Sequence, residues 1–313
     1  MRDLSLLKRE ALLGLSDPWY FSTEILGNGQ GDEFPRPERE IRPMLEFYCR
    51  PRPKELVPTE KWFDYVSFPR ETAKTVNVLV LITLEIIKNP NTCVMIMNEE
   101  KQQAAASLGV VARWLESEKV VQLYGKFRGG TGWEKEYLYV SQRTRATIRD
   151  PTLYTAGVQG PLEGWHPNLI VFDDLIGRDS AHREGFRRAT ARVEQSIPVL
   201  KTGGRAIYIC TRWGPEDPSA DILAKWKAKV MWHAMGGRGF FGAYAVPEDK
   251  AIFPYAVPGE PLFPSILSRE ALERHQKGMP WPLFASQYLN EPQPEGGAYF
   301  DESDFQHFEL YAA

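Results

Sequence analysis

Short runs of consecutive apolar residues alternate along the middle of the chain with longer segments in which apolar residues recur at helical spacing. The apolar runs lack regular polar alternation, which is typical of strands buried on both faces of a parallel sheet. Strands are predicted at Phe63–Phe68, Thr92–Met97, Tyr137–Val140, Leu153–Thr155, Leu169–Phe172 and Ala206–Cys210. Helices are predicted at Thr75–Lys88, Lys101–Leu115 and Ser180–Gln195. The pattern therefore predicts an α/β fold with a largely parallel central sheet flanked by helices.

The pattern weakens on both sides of this central region. Before it, Leu4–Leu26 predicts an amphipathic helix followed by an apolar and aromatic loop, and Ile41–Tyr48 predicts another helix. After about Val230 the chain is rich in glycine and aromatic residues, with short helices expected at Arg269–Lys277 and Trp281–Leu289. We expect an N-terminal helical extension, a core, a small lid or linker subdomain and an acidic linker, at residues 1–60, 61–230, 231–289 and 290–313.

Composition places the 313-residue chain among ordinary globular proteins, because 43% of its residues are hydrophobic and 25% are charged. No apolar run reaches the ~18–20 residues that span a bilayer, so no membrane association is expected. The cysteines Cys49, Cys93 and Cys210 lie far apart in sequence. This argues against a disulfide framework and a zinc site, and favours a reducing compartment.

The charge is unevenly distributed. The net charge is −3, while the last 24 residues hold six acids and no Lys or Arg, so residues 1–289 carry +3 (−3 plus 6). Lys126–Arg149 and Arg178–Arg205 are locally basic. Such stretches are either solvated surfaces or contact regions for a polyanion or a neighbouring subunit's nucleotide.

The first candidate for chemistry follows the predicted strand Phe63–Phe68 and reads PRETAKT, from Pro69 to Thr75. Lys-Thr at the start of a helix, after a strand and a loop, is typical of a phosphate-binding loop. The regular pattern has glycine at the positions of Phe68 and Ala73. A chance basic and polar loop before a helix is therefore the alternative for this fragment.

The second candidate is a run of four apolar residues that ends in Asp173 and Asp174. Open α/β sheets bind ligands at the carboxyl ends of their strands, where these acids are expected to lie. Asp173 is expected to hold Mg²⁺ through water, and Asp174 to polarise an attacking water molecule. The alternative is an acid that caps the following helix.

Two further features complete the series. The predicted strand Ala206–Cys210 ends in Thr211 and Arg212. In motor ATPases a strand beside the Mg²⁺ strand ends in a polar residue that senses the γ-phosphate, which makes these two residues candidates for coupling, and the alternative is an ordinary transition from strand to loop. Gly157–His166 contains three glycines in eight residues and predicts a mobile loop close to the site. The 99 residues between Lys74 and Asp173 leave room for two or three strand–helix units, which suits an ATPase with extra strands between lysine and acid.

In this order, the segments PRETAKT, NPNTCVMIMNEEKQQAAASLGVVARWL, GVQGPLEGWHPN, LIVFDDL and IYICTRW resemble the ATPase domain of the large subunit of tailed-bacteriophage terminases. The resemblance covers roughly Phe34–Gln306. It implies a P-loop NTPase fold of the RecA-like (ASCE) type, with ATP and Mg²⁺ as cofactors. The N-terminal extension would then lie on the adenine side, and the acidic linker would lead toward a nuclease domain.

The resemblance also implies roles for individual residues. Lys74 and Arg70 would neutralise the γ-phosphate, Thr75 and Asp173 would hold Mg²⁺, and Asp174 would orient the water. The remaining phosphate-loop positions are Pro69, Glu71, Thr72 and Ala73. Ala73 stands where most members have glycine, and a positive φ there would cost about 1 kcal/mol.

The implied activity is ATP hydrolysis that drives double-stranded DNA into procapsids in the cytoplasm of the infected bacterial host. The implied partners are DNA, the portal protein and the small terminase subunit. A homo-oligomeric ring, expected to be a pentamer, would form on the procapsid, with a monomer in isolation. An arginine acting in trans would come from Arg143, Arg145 or Arg149.

Other functions stay open at this point. A helicase-like ATPase would share these motifs but needs a second RecA-like domain, and a degenerate phosphate-loop protein would bind DNA or partners without hydrolysis. A small-molecule kinase would need an acceptor pocket that no motif indicates. Asp301, Glu302 and Asp304 are close in sequence, but no sheet is predicted to hold them, so no nuclease activity is expected from these residues.

Overall fold

The computed structural model describes residues 4–28, 37–54, 56–162, 164–226, 231–236, 243–246 and 261–293. The strands are β1 Trp62–Ser67, β2 Val94–Asn98, β3 Arg128–Trp133, β4 Tyr137–Val140, β5 Leu153–Gly157, β6 Leu169–Asp173, β7 Arg205–Cys210, β8 Met231–Gly236 and β9 Ala243–Val246. The helices are α1 Leu4–Ser16, α2 Pro18–Tyr20, α3 Glu38–Cys49, α4 Lys74–Lys88, α5 Lys101–Glu116, α6 Glu118–Tyr124, α7 Arg183–Val199, α8 Pro218–Trp226, α9 Arg269–Gly278 and α10 Trp281–Leu289, with a π-helical turn at Phe21–Ile25.

In the described residues, nine strands form one sheet in the order β3-β4-β5-β2-β6-β7-β1-β8-β9. The six neighbours from β5 to β8 in this order are parallel. The edge pairs β3–β4, β4–β5 and β8–β9 are antiparallel. The predicted fold class, a largely parallel sheet flanked by helices, is confirmed.

Both faces of the central strands are covered by helices. Alternate residues of the strands, such as Val66 and Ile207, join the cluster that contains α3, α4 and α5. The intervening residues, such as Tyr65 and Tyr208, join the cluster that contains α7 and α8. Every residue of β1, β2, β5, β6 and β7 is buried. This two-sided burial explains why these strands appear in the sequence as unbroken apolar runs.

The register brings the carboxyl ends of the central strands to one edge of the sheet. Ser67 of β1 pairs with Cys210 of β7, and Asp173 of β6 pairs with Ile209 of β7. On the other side of β6, Met97 pairs with Phe172, so β2 also ends at this edge. The residues that follow these strands therefore meet around a common site.

Several elements differ from the sequence-based predictions. Helices α6 and α8 and strands β3, β8 and β9 were not predicted, and α7 runs from Arg183 to Val199 instead of Ser180–Gln195. The predicted N-terminal helix divides near Asp17, whose carboxylate accepts hydrogen bonds from the backbone N–H groups of Trp19 and Tyr20. This cap begins a new helical segment.

The segment that contains α9 and α10 packs against the start of the loop after β1. The rings of Phe68 and Phe263 meet edge to face at 5.7 Å. The Ser67 hydroxyl donates to Oδ1 of Asn290 at 2.7 Å, and the Asn290 amide donates to the Ser67 carbonyl at 3.0 Å. The end of α10 is thereby fixed to the end of β1. Across the described ranges, no helix is both long enough and apolar enough to cross a membrane.

Candidate functional site

A cleft of about 860 Å³ opens at the carboxyl edge of the sheet. This volume lies within the ~300–1,000 Å³ range of small-molecule sites. Its walls come from the loop after β1, the ends of β2, β6 and β7, and helices α5 and α10. The polar and charged lining residues are Arg70, Glu71, Thr72, Lys74, Thr75, Asn98, Glu99, Gln103, Ser107, Asp173, Asp174, Arg178, Thr211 and Gln287.

The loop between β1 and α4 has a strained backbone. Glu71 and Ala73 have φ values of 67° and 57°, in the left-handed region that favours glycine. The Thr72 hydroxyl closes the turn by donating to the Pro69 carbonyl at 2.8 Å. Ala73 occupies the N-cap position of α4 and provides no side-chain cap. The backbone N–H donors at the start of this 15-residue helix are therefore left for another acceptor.

Lys74, the first residue of α4, is buried at the edge of the cleft. Its ammonium donates to the carbonyls of Phe68 at 2.9 Å and Cys210 at 3.0 Å, and to the hydroxyl of Thr211 at 2.6 Å. Burial lowers its pKa below the ordinary value for lysine. The lysine thus joins the ends of β1 and β7.

Asp173 and Thr75 are in direct contact. The Thr75 hydroxyl lies 3.1 and 3.0 Å from the two carboxylate oxygens of Asp173. Asp173 is only 3% exposed, and burial together with the neighbouring Asp174 raises its pKa to about 7. A buried carboxylate beside a second acid and a hydroxyl is an oxygen donor set that a bound Mg²⁺ would stabilise.

Asp174 is half-buried and lines the cleft with a φ of 45°. Its backbone N–H donates to the Ile209 carbonyl at 3.0 Å, and its carbonyl accepts from the Glu99 N–H at 3.3 Å. These contacts fix its backbone between β7 and the end of β2. The side chain therefore leaves the strand end from a constrained, left-handed position.

Thr211 and Arg212 face different surroundings. The Thr211 hydroxyl contacts Lys74 in the cleft, whereas the Arg212 guanidinium is buried against Asp217 at 2.9 Å. Asp217 also accepts from the Trp213 N–H at 2.8 Å, just before α8 begins. The two candidate coupling residues thus connect the cleft to the start of α8.

Arg70 is exposed at the rim of the cleft, and its guanidinium carbon lies 5.1 Å from the centre of the Trp213 ring. Arg178, which follows β6, also lines the cleft, although the motifs did not single it out. The cleft therefore has two arginines near its opening in addition to the buried Lys74. Such a cationic lining suits a polyphosphate.

The loop with the three arginine candidates lies at the opposite edge of the sheet. Arg143 donates to the carbonyls of Thr92 at 2.9 Å, Pro90 at 3.3 Å and Asp150, and Thr92 comes just before β2. Arg145 and Arg149 are exposed. In a single chain none of the three lines the cleft, so any role there requires another subunit.

The glycine-rich segment, described at 157–162 and 164–166, does not line the cleft but begins beside it, where the Val158 N–H donates to the carbonyl of the lining residue Glu99 at 3.2 Å. Arg192 of α7 donates to the Gly157 carbonyl at 3.0 Å and to the Gly160 carbonyl at 2.5 Å. Trp165 packs edge to face on Tyr154 at 4.6 Å. Glycine at position 157 lets the end of β5 approach the start of α5 closely, since a Cβ there would lie 3.0 Å from the Lys101 backbone nitrogen.

The sequence-based prediction missed several lining residues. Asn98 ends the apolar strand β2 and Glu99 follows it, just as Asp173 ends β6 and Asp174 follows it, so the same signal identifies them. Leu283 and Gln287 come from α10, far along the chain, and no local motif marks them. Residues this far from the motifs in sequence can be assigned to the cleft only once the fold is known.

Comparisons with known proteins give structural matches alone. No protein-family model and no curated protein sequence matches the chain. Its structure is similar to the HK97 bacteriophage large terminase, with 13% identity, a TM-score of 0.47 and coverage of 82% of this chain and 55% of that one. It is also similar to a mutant ATPase domain of the Thermus phage P74-26 large terminase, with 14% identity, a TM-score of 0.47 and coverage of 78% and 95%.

A third match, with 16% identity and a TM-score of 0.39, is the large terminase of a thermophilic bacteriophage. The chain spans only 55% of the HK97 protein and 52% of this third protein. These matches are phage large terminases, the family that the motifs of this chain resemble. At such identities and TM-scores the likeness concerns the fold alone.

Proposed function

We propose that this chain is a Mg²⁺-dependent ATPase that works as the motor domain of a terminase large subunit and drives double-stranded DNA into procapsids. The observation that carries the proposal is the meeting of Lys74, the Thr75–Asp173 contact and Asp174 in one cleft. These groups come from positions about 100 residues apart in sequence and match the parts that phosphoryl transfer requires.

ATP would lie with its phosphates on the loop 69–75 and the start of α4. The uncapped N–H groups of α4 and the cations of Lys74 and Arg70 would offset the phosphate charge. To reach the β- and γ-phosphates, the Lys74 ammonium would exchange its contact with Thr211 for phosphate oxygens. ATP binding would therefore break the Lys74–Thr211 contact at the end of β7.

Mg²⁺ would be held by Thr75 and Asp173 and would neutralise charge on the phosphates. No group of three or more His, Cys, Asp or Glu side chains that could hold a metal ion occurs in the described part of the chain. Mg²⁺ bound through one carboxylate, a hydroxyl, waters and substrate phosphates needs no such group. Asp174 would orient the attacking water, so that catalysis consists of positioning and electrostatic stabilisation.

Coupling to movement would pass through Thr211 and Arg212. Release of γ-phosphate would return Lys74 to Thr211, and the buried Arg212–Asp217 pair would carry the change to α8. DNA would be held through its phosphates by Lys and Arg side chains, with strong salt dependence.

In the assembled motor, subunits would form a homo-oligomeric ring, a pentamer in this proposal, on the portal protein of the procapsid in the host cytoplasm. The small terminase subunit would be a further partner. Arg145 and Arg149 are the better candidates for action in trans, because they are exposed while Arg143 is engaged by backbone carbonyls.

The loop backbone also supports a second candidate, a phosphate-loop protein that binds nucleotide or DNA without hydrolysis. Ala73 in the left-handed region costs about 1 kcal/mol where glycine would not. A loop under such strain would hold phosphates less readily.

Mg²⁺-dependent ATP turnover, measured with and without DNA, separates the two candidates. We expect Lys74→Ala and Asp174→Asn to lower kcat by at least ~100-fold, because each removes a group that acts on the reacting phosphate or water. Matched controls are Lys88→Ala at the exposed end of the same helix and Asp179→Asn in the exposed turn after β6. Absence of Mg²⁺-dependent turnover in the wild-type protein, even with DNA and packaging partners, contradicts hydrolysis.

A further inference from the structure

The end of β2 places two polar residues beside the acids of β6. β2 and β6 are parallel neighbours, and the Glu99 N–H donates to the Asp174 carbonyl at 3.3 Å. Asn98 and Glu99 both line the cleft. Two strand ends therefore contribute carboxylates to the same wall, although only one of them belongs to the motif found in sequence.

The Glu99 carboxylate lies against a glycine. A Cβ built at Gly177 would be 2.0 Å from Oε2 of Glu99, so the side chain occupies space that any other residue at 177 would fill. Gly177 itself lines the cleft. Within the described residues, no hydrogen bond or ion pair engages this carboxylate. It is thus an available acceptor at the wall of the cleft.

Asn98 fixes the end of β2 against the end of β6. Its side-chain amide donates to the Asp173 carbonyl at 2.6 Å, which fixes the orientation of the group. Its Oδ1 is buried out of reach of water in the cleft. The Glu99 carboxylate is therefore the group at this strand end that can meet a water molecule in the cleft.

We propose that Glu99 is a further catalytic residue of the ATPase, and that its carboxylate holds the attacking water. This inference rests on the function proposed above. Glu99 has one more methylene than Asp174 and leaves the adjacent strand, so the two acids approach the reacting water from different strands.

In the step that follows, the water oxygen bonds to the γ-phosphorus as the bond from phosphorus to the β–γ bridging oxygen breaks. ADP leaves with the electron pair of that bond. The proton of the water passes to the Glu99 carboxylate and then to the released phosphate. Lys74 contacts the phosphate oxygens in this step, and Mg²⁺ held by Thr75 and Asp173 would neutralise charge on them.

The test compares Glu99→Gln with Glu100→Gln. Glu100 is the next residue, is exposed and makes no side-chain cap for α5, so it is a matched control outside the cleft. We expect Glu99→Gln to lower kcat by about 100-fold or more, as for loss of a general base, with the dissociation constant of a fluorescent ATP analogue changed less than about threefold. Glu100→Gln keeps wild-type kcat.

Gly177→Ala tests the same group without altering its chemistry. Its methyl group displaces the Glu99 carboxylate, so kcat falls by about tenfold or more while the melting temperature stays near that of the wild type. In the double variant with Glu99→Gln, the two losses do not multiply, because both act on one group.

The outcomes are distinct from those of the proposed function. If the wild-type protein does not hydrolyse ATP, the proposed function fails and this inference fails with it. If the wild type hydrolyses ATP and Glu99→Gln lowers kcat by less than tenfold, the inference alone is overturned. A tenfold or greater loss of nucleotide affinity in Glu99→Gln also overturns it, since Glu99 would then serve binding.

Discussion

At the scale of single residues, the site combines backbone strain with buried charge. Glu71, Ala73 and Asp174 all have positive φ and all line the cleft. Strained non-glycine residues concentrate where the surrounding structure imposes a functional geometry. The fourth such residue in the described ranges, Asn290, fixes α10 to the end of β1.

Ala73→Gly is expected to stabilise the protein. Glycine adopts a φ of 57° without the steric penalty, which is worth about 1 kcal/mol, or roughly 2 °C in melting temperature for a chain of this size. We also expect tighter binding of Mg²⁺-ATP, because the relaxed loop adapts more easily to phosphates. Thermal unfolding and nucleotide titration measure the two effects.

The control is Ala106→Gly, the same change in the interior of α5 on the other wall of the cleft. Glycine within a helix costs about 1 kcal/mol, so this variant melts lower than the wild type. If Ala73→Gly destabilised the protein as much as Ala106→Gly, this would contradict a left-handed backbone conformation at residue 73.

At the scale of elements, α10 both lines the cleft and is fixed to the end of β1. Leu283 and Gln287 line the cleft, and Asn290 at the end of the helix bonds to Ser67 immediately before the phosphate loop. Nε2 of His275, in α9, lies 4.0 Å from the Glu71 carboxylate. The α9–α10 segment therefore contacts the loop at its start and in its middle.

Asn290→Ala is expected to lower both stability and nucleotide affinity. It removes two buried hydrogen bonds and places alanine at a φ of 55°, which together cost about 2–4 kcal/mol. Affinity for ATP falls because α10 no longer holds its wall of the cleft. Denaturant unfolding and nucleotide titration measure these changes.

Asn290→Gly separates the two causes. It loses the same hydrogen bonds but accepts the left-handed backbone, so it is expected to be about 1 kcal/mol more stable than Asn290→Ala. Equal stability of Asn290→Ala and wild type would show that the bonds to Ser67 contribute nothing.

At the scale of the whole molecule, the cleft and the arginine loop lie at opposite edges of the sheet. The cleft lies where β1, β2, β6 and β7 end, whereas the arginine loop is attached by Arg143 to the residues just before β2. A heterologous contact between subunits can bring one edge of a molecule to the opposite edge of its neighbour. The ring proposed above would require such a head-to-tail contact for an arginine of one subunit to reach the cleft of the next.

Mixing of variants tests this arrangement. If the proposed ring forms, the double variant Arg145→Ala with Arg149→Ala is expected to hydrolyse ATP at least ~10³-fold more slowly than the wild type, as for loss of an arginine finger. An equal mixture with Lys74→Ala subunits recovers about a quarter of wild-type turnover, since each variant completes the sites of the other in a heterologous ring.

The control is Arg143→Ala, which loses contacts to three backbone carbonyls and is expected to lower stability. A mixture that recovers no activity, from subunits that still assemble, would contradict action of Arg145 or Arg149 in trans.

Much of the site followed from sequence because parallel strands expose their carboxyl ends at one edge. Asp173 ends β6, Thr211 follows β7 and Lys74 begins the helix after β1, and the structure brings the three together in the cleft. Strand β3 was missed because its sequence, RGGTGW, contains three glycines and it lies at the edge of the sheet. Its pairing with β4 makes it a strand in spite of its composition.

The sequence by itself determined the alternation of buried strands and helices, the position of the lysine turn and the acids at the end of β6. These are local patterns, set by which residues must leave water and which cannot. The tertiary structure alone decided that β2 lies between β5 and β6, which brings Glu99 beside Asp174. It also decided that α10 forms part of the cleft wall, because Leu283 and Gln287 are far in sequence from the other lining residues and no local pattern marks their distance in space.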